Sequence, residues 1–461
     1  MLSDNKLGFW GLTALVFGLM VGVGIYNLPQ NMAKVASPAT VAVGWGLTAA
    51  GILPLVLAFK WLSQNYPQYN AGIYQYAQAG FGNFAGFNIA WGYWLCTAFS
   101  NVTYGVMLND ACGAFMPSLM NHGWETVVFG SVLIWIMYAI VISGVHNAKI
   151  VNTFLAGVKV VMLIFIIITL FIGFRSGLFE TSMLVGVHST SEALGQVKST
   201  MMITLFCFFG VEGAVMMSAR ARKPSDVGRA GIVGFLISLV LYLAVSLLCF
   251  GVLTKAQLMN MPDPSIAYIL REGCGEWAYW FVIGAVIISL LGGWVAWTLV
   301  VAQVPYEAAI VGILPKVFKL TNRRNMPAYG LMASSLVMEL FLLVVVTADD
   351  VYMAALSITG LMIIPCYFFT GLFVIKRATT LRFRVMGVVI ALFCVWMAYA
   401  GGAKEMLMTS VFYIMGYGFY VRARKENAPQ YPVLTRNEKI ALSLLIMAAI
   451  GTLLMLPDYL A

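Results

Sequence analysis

Charge is scarce in this chain. Asp, Glu, Lys and Arg together make up 10% of 461 residues, against roughly a quarter in soluble domains. With 61% of residues hydrophobic, so little charge cannot clothe a water-soluble globule, and lipid must be the main solvent. Histidine is rarer still. His122, His146 and His188 are scattered near loops, and no HExxH exists to hold a catalytic zinc. The cysteines show no CxxC or Cys/His spacing, which excludes a disulfide framework and a zinc site. Cys96, Cys112, Cys207, Cys249, Cys366 and Cys394 sit in or at the ends of apolar runs and read as small buried hydrophobes; Cys274 stands alone in a loop. No metal and no cofactor is expected. Alternating polarity is missing as well. The apolar runs are about 20 residues long and apolar all round, twice the length of a barrel strand. Gly22-Val23-Gly24 is no dinucleotide loop, because no strand precedes it. An enzyme is therefore not expected. No basic stripe with interleaved aromatics stands clear of the membrane, so nucleic acid is not an expected partner.

What is present is a series of spans. Runs long enough to cross a bilayer fall at 8–34, 38–63, 84–117, 125–145, 149–173, 194–219, 228–253, 275–312, 327–347, 351–375, 384–401, 404–421 and 438–457. The first run is long enough to span, so it reads as a retained helix, not a cleaved signal. The polar, Gly/Tyr-rich stretch 64–82 reads as a short helix on the membrane surface. With a cytoplasmic N-terminus, only Lys34, Arg175, Lys255, Arg271 and Lys404 of the 27 basic residues fall outside. Lys159 and Lys198 lie within or at the edge of helices, and the rest fall inside. That bias sets the orientation and explains the net charge of +9. An odd number of spans leaves the C-terminus outside. The final span follows a basic, Pro-containing linker and reads as accessory.

Two spans are interrupted. The first contains Gly18, Gly22, Gly24, Asn27 and Pro29; the sixth contains Gly210-Val211-Glu212-Gly213. The interruptions lie five helices apart, as expected if spans one to five and six to ten are inverted repeats. Paired Gly-interrupted spans point to a transporter binding site at the repeat interface. Unwound backbone in lipid is tolerated only where it lines a cavity. Its freed N–H groups, at the start of a half-helix, suit a carboxylate. Gly18-xxx-Gly22 alone would also fit a helix-packing role. Glu212 lies between the two glycines of the sixth span, where a carboxylate is expensive and marks function. Lys159 sits in the apolar run of span five, where it either ties that span to the first break or snorkels to the interface. Phe206, Phe208, Phe209, Tyr93, Trp94 and Trp294 are aromatics that either pack or cover a cation. Asp110, Glu307 and Glu339 are lesser candidates.

Gly22-Val23-Gly24-Ile25 with Leu28-Pro29, Tyr93-Trp94 followed by Asn101, Gly210-Val211-Glu212, Gly292-Gly293-Trp294 followed by Gln303, and residues 401–405 together resemble the amino acid–polyamine–organocation superfamily, in its bacterial basic amino acid/polyamine antiporter branch. Pro29-Gln30-Asn31-Met32, Ser37-Pro38 and residues 218–222 are similar to arginine/ornithine antiporters. The resemblance runs the whole chain, in order. It implies an all-α membrane protein with a five-plus-five inverted-repeat fold, broken helices one and six, and 12–13 transmembrane helices in one domain. Its parts would be a first repeat at 8–173, a second at 194–375, helices eleven and twelve at 384–421, and the accessory helix at 438–457. It implies alternating-access exchange of cationic amino acids, arginine for ornithine, across a bacterial inner membrane. Agmatine/putrescine exchange and proton-coupled uptake are the alternatives. Homodimers are frequent in this branch.

Carried over residue by residue, Gly22, Val23, Gly24 and Ile25 with Phe206, Cys207 and Phe209 contact substrate. Tyr93, Thr97 and Asn101 line helix three, and Trp294 is a substrate-contacting aromatic. Glu212 is a gate carboxylate, and Lys159 stands where sodium-coupled relatives hold their ion. Val23 replaces the polar residue often found between the first two glycines, which removes a side-chain contact to a carboxylate. Phe206 takes the place of a gating Trp.

Overall fold

The computed structural model describes residues 8–69, 71–144, 148–216, 221–347 and 350–455. His146 and positions 218–220 lie outside the described residues. The described chain is helical. The first span is α1 (Phe9–Met20) and α2 (Leu28–Val35), joined by a single 3-10 turn at Val23–Ile25. α3 (Pro38–Asn65), α4 (Ile73–Phe81), α5 (Asn83–Cys112), α6 (Trp124–Ile142) and α7 (Ala148–Ile172) follow. α8 (Ser176–Ser182) leads to the sixth span, split into α9 (Thr190–Cys207) and α10 (Gly213–Met216). Next come α11 (Pro224–Val252), the short α12 (Lys255–Met259) and α13 (Ser265–Cys274), then α14 (Glu276–Ile310), α15 (Ala328–Val345) and α16 (Val351–Arg377). α17 (Leu381–Gly401), α18 (Ala403–Met415), α19 (Tyr417–Asn427) and α20 (Arg436–Met455) close the chain.

Seven described helices are long and apolar enough to cross a membrane, or eight if α7 and the sharply bent α8 form one span. The others belong to the same bundle: α5 is buried along almost its whole length, between α14 and α16. The chain is an all-α membrane protein. Two sequence expectations need correction. The span at 404–421 is interrupted at Gly416, which separates α18 from α19. The third span stops at Cys112, and a separate 3-10 turn, Pro117–Asn121, opens on Pro117, whose missing N–H costs nothing in a first turn. The stretch 64–82 does hold a short helix, α4, with one face buried against α5 and α16.

The two halves repeat one order of elements. In each, a broken span is followed by a long helix, then a short amphipathic helix, then the longest buried helix. Gly82 (φ 95°) joins α4 to α5, and Gly275 (φ 87°) joins α13 to α14. Both turns need the left-handed region that glycine enters without a Cβ penalty. Neighbours correspond too: α5 packs on α16 as α14 packs on α7, and α1 on α11 as α9 on α3. The short helices follow suit, α4 against α16 and α13 against α7. This correspondence brings the two broken spans together at the centre.

Candidate functional site

Each break has a local cause. α1 ends at Met20, and Pro29 falls in the first turn of α2, where its missing N–H costs nothing. α9 ends at Cys207; Gly210 then takes φ 101°, and α10 restarts at Gly213. The breaks touch. A Cβ at Gly210 would lie 3.0 Å from the Leu19 carbonyl carbon, and one at Gly24 would lie 3.3 Å from Cys207 Sγ. Gly210 both leaves helical geometry and abuts the Leu19 backbone, whereas Gly18 meets no neighbour, so the Gly18-xxx-Gly22 pair does not act as a helix-packing motif.

Breaking a helix strands its last carbonyls. Here side chains from neighbouring helices reach them. Lys159 Nζ on α7 donates to Val21 O at 2.7 Å, and Tyr242 Oη on α11 donates to Met20 O at 2.7 Å. A cation at this C-terminal end also opposes the half-helix dipole. On the far side of the break, Ile266 N–H donates to Tyr26 O and Ser265 N–H to Asn27 Oδ1. The Gly22 N–H is taken by Met20 O. The 3-10 turn engages the Ile25 N–H with the Gly22 carbonyl; among the described residues, the Gly24 N–H meets no protein acceptor.

A narrow cavity lies between the breaks. Its walls are Leu19, Met20, Gly22, Val23 and Gly24 from the first span, Phe206, Cys207 and Phe209 from the sixth, Ser100 and Tyr104 from α5, and Trp297 from α14. Trp297 stacks on Phe209 with ring centroids 4.8 Å apart and planes 14° from parallel. Phe209 in turn meets Tyr93 at 6.3 Å. Behind this aromatic layer Glu212 is fully buried. Its carboxylate accepts from Tyr93 Oη at 2.9 Å, Tyr367 Oη at 2.8 Å and the Gly210 N–H at 3.3 Å. Three donors satisfy the charge without a cation and tie the sixth-span break to α5 and α16. The cavity thus offers the free Gly24 N–H at one end, aromatic faces along its wall, and a carboxylate behind them.

Residues 7–454 match the amino acid permease family. The chain belongs to that family. Relatives of this permease span nearly its whole length. It is 36% identical over 467 residues to an arginine/agmatine antiporter of Chlamydia abortus, covering 97% of this chain and 96% of that one. It is 36% identical over 462 residues to an arginine/agmatine antiporter of Chlamydia trachomatis serovar L2, covering 96% and 95%. A Clostridium perfringens protein named as an amino-acid transporter is 35% identical over 476 residues, covering 98% of each.

The permease does not bring every sequence candidate to the cavity. Gly22, Val23, Gly24, Phe206, Cys207 and Phe209 line it. Ile25 is buried beside the break. Asn101 is spent between helices: its amide donates to Thr97 O at 2.8 Å, and its Oδ1 accepts from Thr298 Oγ1 at 3.2 Å. The Thr97 hydroxyl donates to Trp94 O. Trp294 is buried against Gly105, away from the lining. Trp297, one turn further along α14, takes the wall position. Ser100, Tyr104, Trp297 and Tyr367 escaped the sequence reading. Positions 93, 97, 100 and 104 share one helical face, which is the signal that could have added Ser100 and Tyr104.

Proposed function

We propose that this permease exchanges cationic amino acids and amines across a bacterial inner membrane by alternating access, with arginine as one substrate and agmatine as the other. The observation that carries the reading is the aromatic cavity held between two facing helix breaks. A carboxylate suits the Gly24 N–H, and a guanidinium suits the faces of Phe206, Phe209 and Trp297. The full-length similarity to arginine/agmatine antiporters supports agmatine over ornithine as counter-substrate. Glu212 then acts as the gate beneath the substrate, released when Tyr93 and Tyr367 part. The repeats run over 8–173 and 194–375, the N-terminus lies in the cytoplasm, and the basic loops mark that face.

No chemistry is done. Each substrate shifts the balance of states only by its differential contacts. The test uses purified protein in liposomes loaded with agmatine, with ornithine or with buffer. External arginine is expected to accumulate in agmatine-loaded vesicles and hardly at all in empty ones. Accumulation driven by ornithine alone would restore the arginine/ornithine pairing. Equal uptake into empty vesicles under a pH gradient would favour proton-coupled uptake, the reading to which a buried ammonium at Lys159 lends support.

A further inference from the structure

Val23 leaves the first break without a polar side chain of its own, yet the wall facing it is not bare. Ser100 and Tyr104, one turn apart on α5, share a helical face and line the cavity together with Gly22, Val23 and Gly24. Both are 2% exposed. Among the described residues that line the cavity, only these two carry a hydroxyl.

The tyrosine is aimed at the break. A Cβ placed on Gly22 would strike the Tyr104 hydroxyl oxygen first, and next the ring carbon that carries it, at 3.2 Å. The side chain therefore meets the break end-on, hydroxyl first. On the flank of the ring lies Gly293 of α14, where a Cβ would come within 2.8 Å of Tyr104 Cε1. Two glycines on two spans thus leave room for one tyrosine, Gly22 for its polar tip and Gly293 for its edge. Packing explains the ring, since a phenylalanine would fill most of the same room. It does not explain the hydroxyl. Taking a hydroxyl out of water costs about 1–3 kcal/mol unless it finds a partner, and this one is placed at the break where the Gly24 N–H also lacks a protein acceptor. An O–H and an N–H on one cavity are joined by an acceptor. A carboxylate, with two oxygens and about four lone-pair sites, takes both. A guanidinium or an ammonium carries donors alone and has nothing to offer the Gly24 N–H.

We propose that Tyr104 is a specificity-determining residue of the central site. Its hydroxyl donates to the substrate carboxylate, in place of the side-chain contact that Val23 removes. It thereby sets how much more tightly the permease holds an amino acid than the amine left by its decarboxylation. The proposal rests on the exchange reading for its two substrates: arginine gains this hydrogen bond, and agmatine, without a carboxylate, does not.

The test compares these two substrates, which differ by the carboxylate alone. Tyr104→Phe keeps the ring between Gly22 and Gly293 and removes only the hydroxyl. In proteoliposome counterflow, its KM for arginine is expected to rise roughly ten-fold, the size of one lost hydrogen bond to a charged group, with KM for agmatine unchanged. A packing role would move both substrates alike, so an equal rise for both, or no rise for arginine, overturns the proposal. Binding in detergent, followed by intrinsic tryptophan fluorescence, repeats the comparison without flux. The ratio of the arginine to the agmatine dissociation constant is expected to rise by a similar factor in Tyr104→Phe, and an unchanged ratio overturns the proposal. A wild type that binds arginine with this tyrosine-dependent preference yet exchanges none contradicts the transport reading and leaves the assignment of Tyr104 standing. A wild type that exchanges arginine for agmatine, beside a Tyr104→Phe variant with the same ratio, does the reverse.

Discussion

Trp294 and Trp297 are one turn apart on α14, and only Trp297 reaches the cavity. One face of its ring is stacked on Phe209, and the part that lines the cavity offers a π surface to a cation. Replacing it with alanine removes a cation–π contact of about 1–2 kcal/mol. KM for arginine in Trp297→Ala should therefore rise roughly ten-fold in a counterflow assay.

At the scale of elements, the breaks are held by backbone geometry and by side chains that finish the half-helices. Gly210→Ala puts a Cβ into a left-handed residue and against the Leu19 carbonyl carbon, at a cost of about 1–3 kcal/mol. Transport should be abolished while the protein still inserts, as flux measured beside gel-filtration profiles would reveal. Lys159→Met leaves the Val21 carbonyl without its donor. Losing that hydrogen bond should cost about 1–3 kcal/mol and lower the unfolding temperature in detergent. The breaks were legible from sequence because glycine and proline punctuate otherwise apolar runs. Rotation of the helices was not. α14 is apolar nearly all round, so its pattern fixes no phase, and Trp294 was chosen where Trp297 faces the cavity. Gly416 gave no warning, because the run around it stays apolar on both sides.

For the whole molecule, the proposed substrate position is the cavity between the paired breaks, flanked by Gly22–Gly24 and Phe206–Phe209, with Glu212 held behind it by Tyr93 and Tyr367. Cys207 lines that space and is nearly inaccessible in this structure, which makes it a reporter of both opening and occupancy. In a variant retaining Cys207 as its single cysteine, a small thiol reagent should label it slowly. Saturating arginine should slow that labelling roughly ten-fold or more, as an occupant with a dissociation constant well below its concentration requires. Labelling at the same rate with and without saturating arginine, in a carrier still exchanging it, would contradict the site.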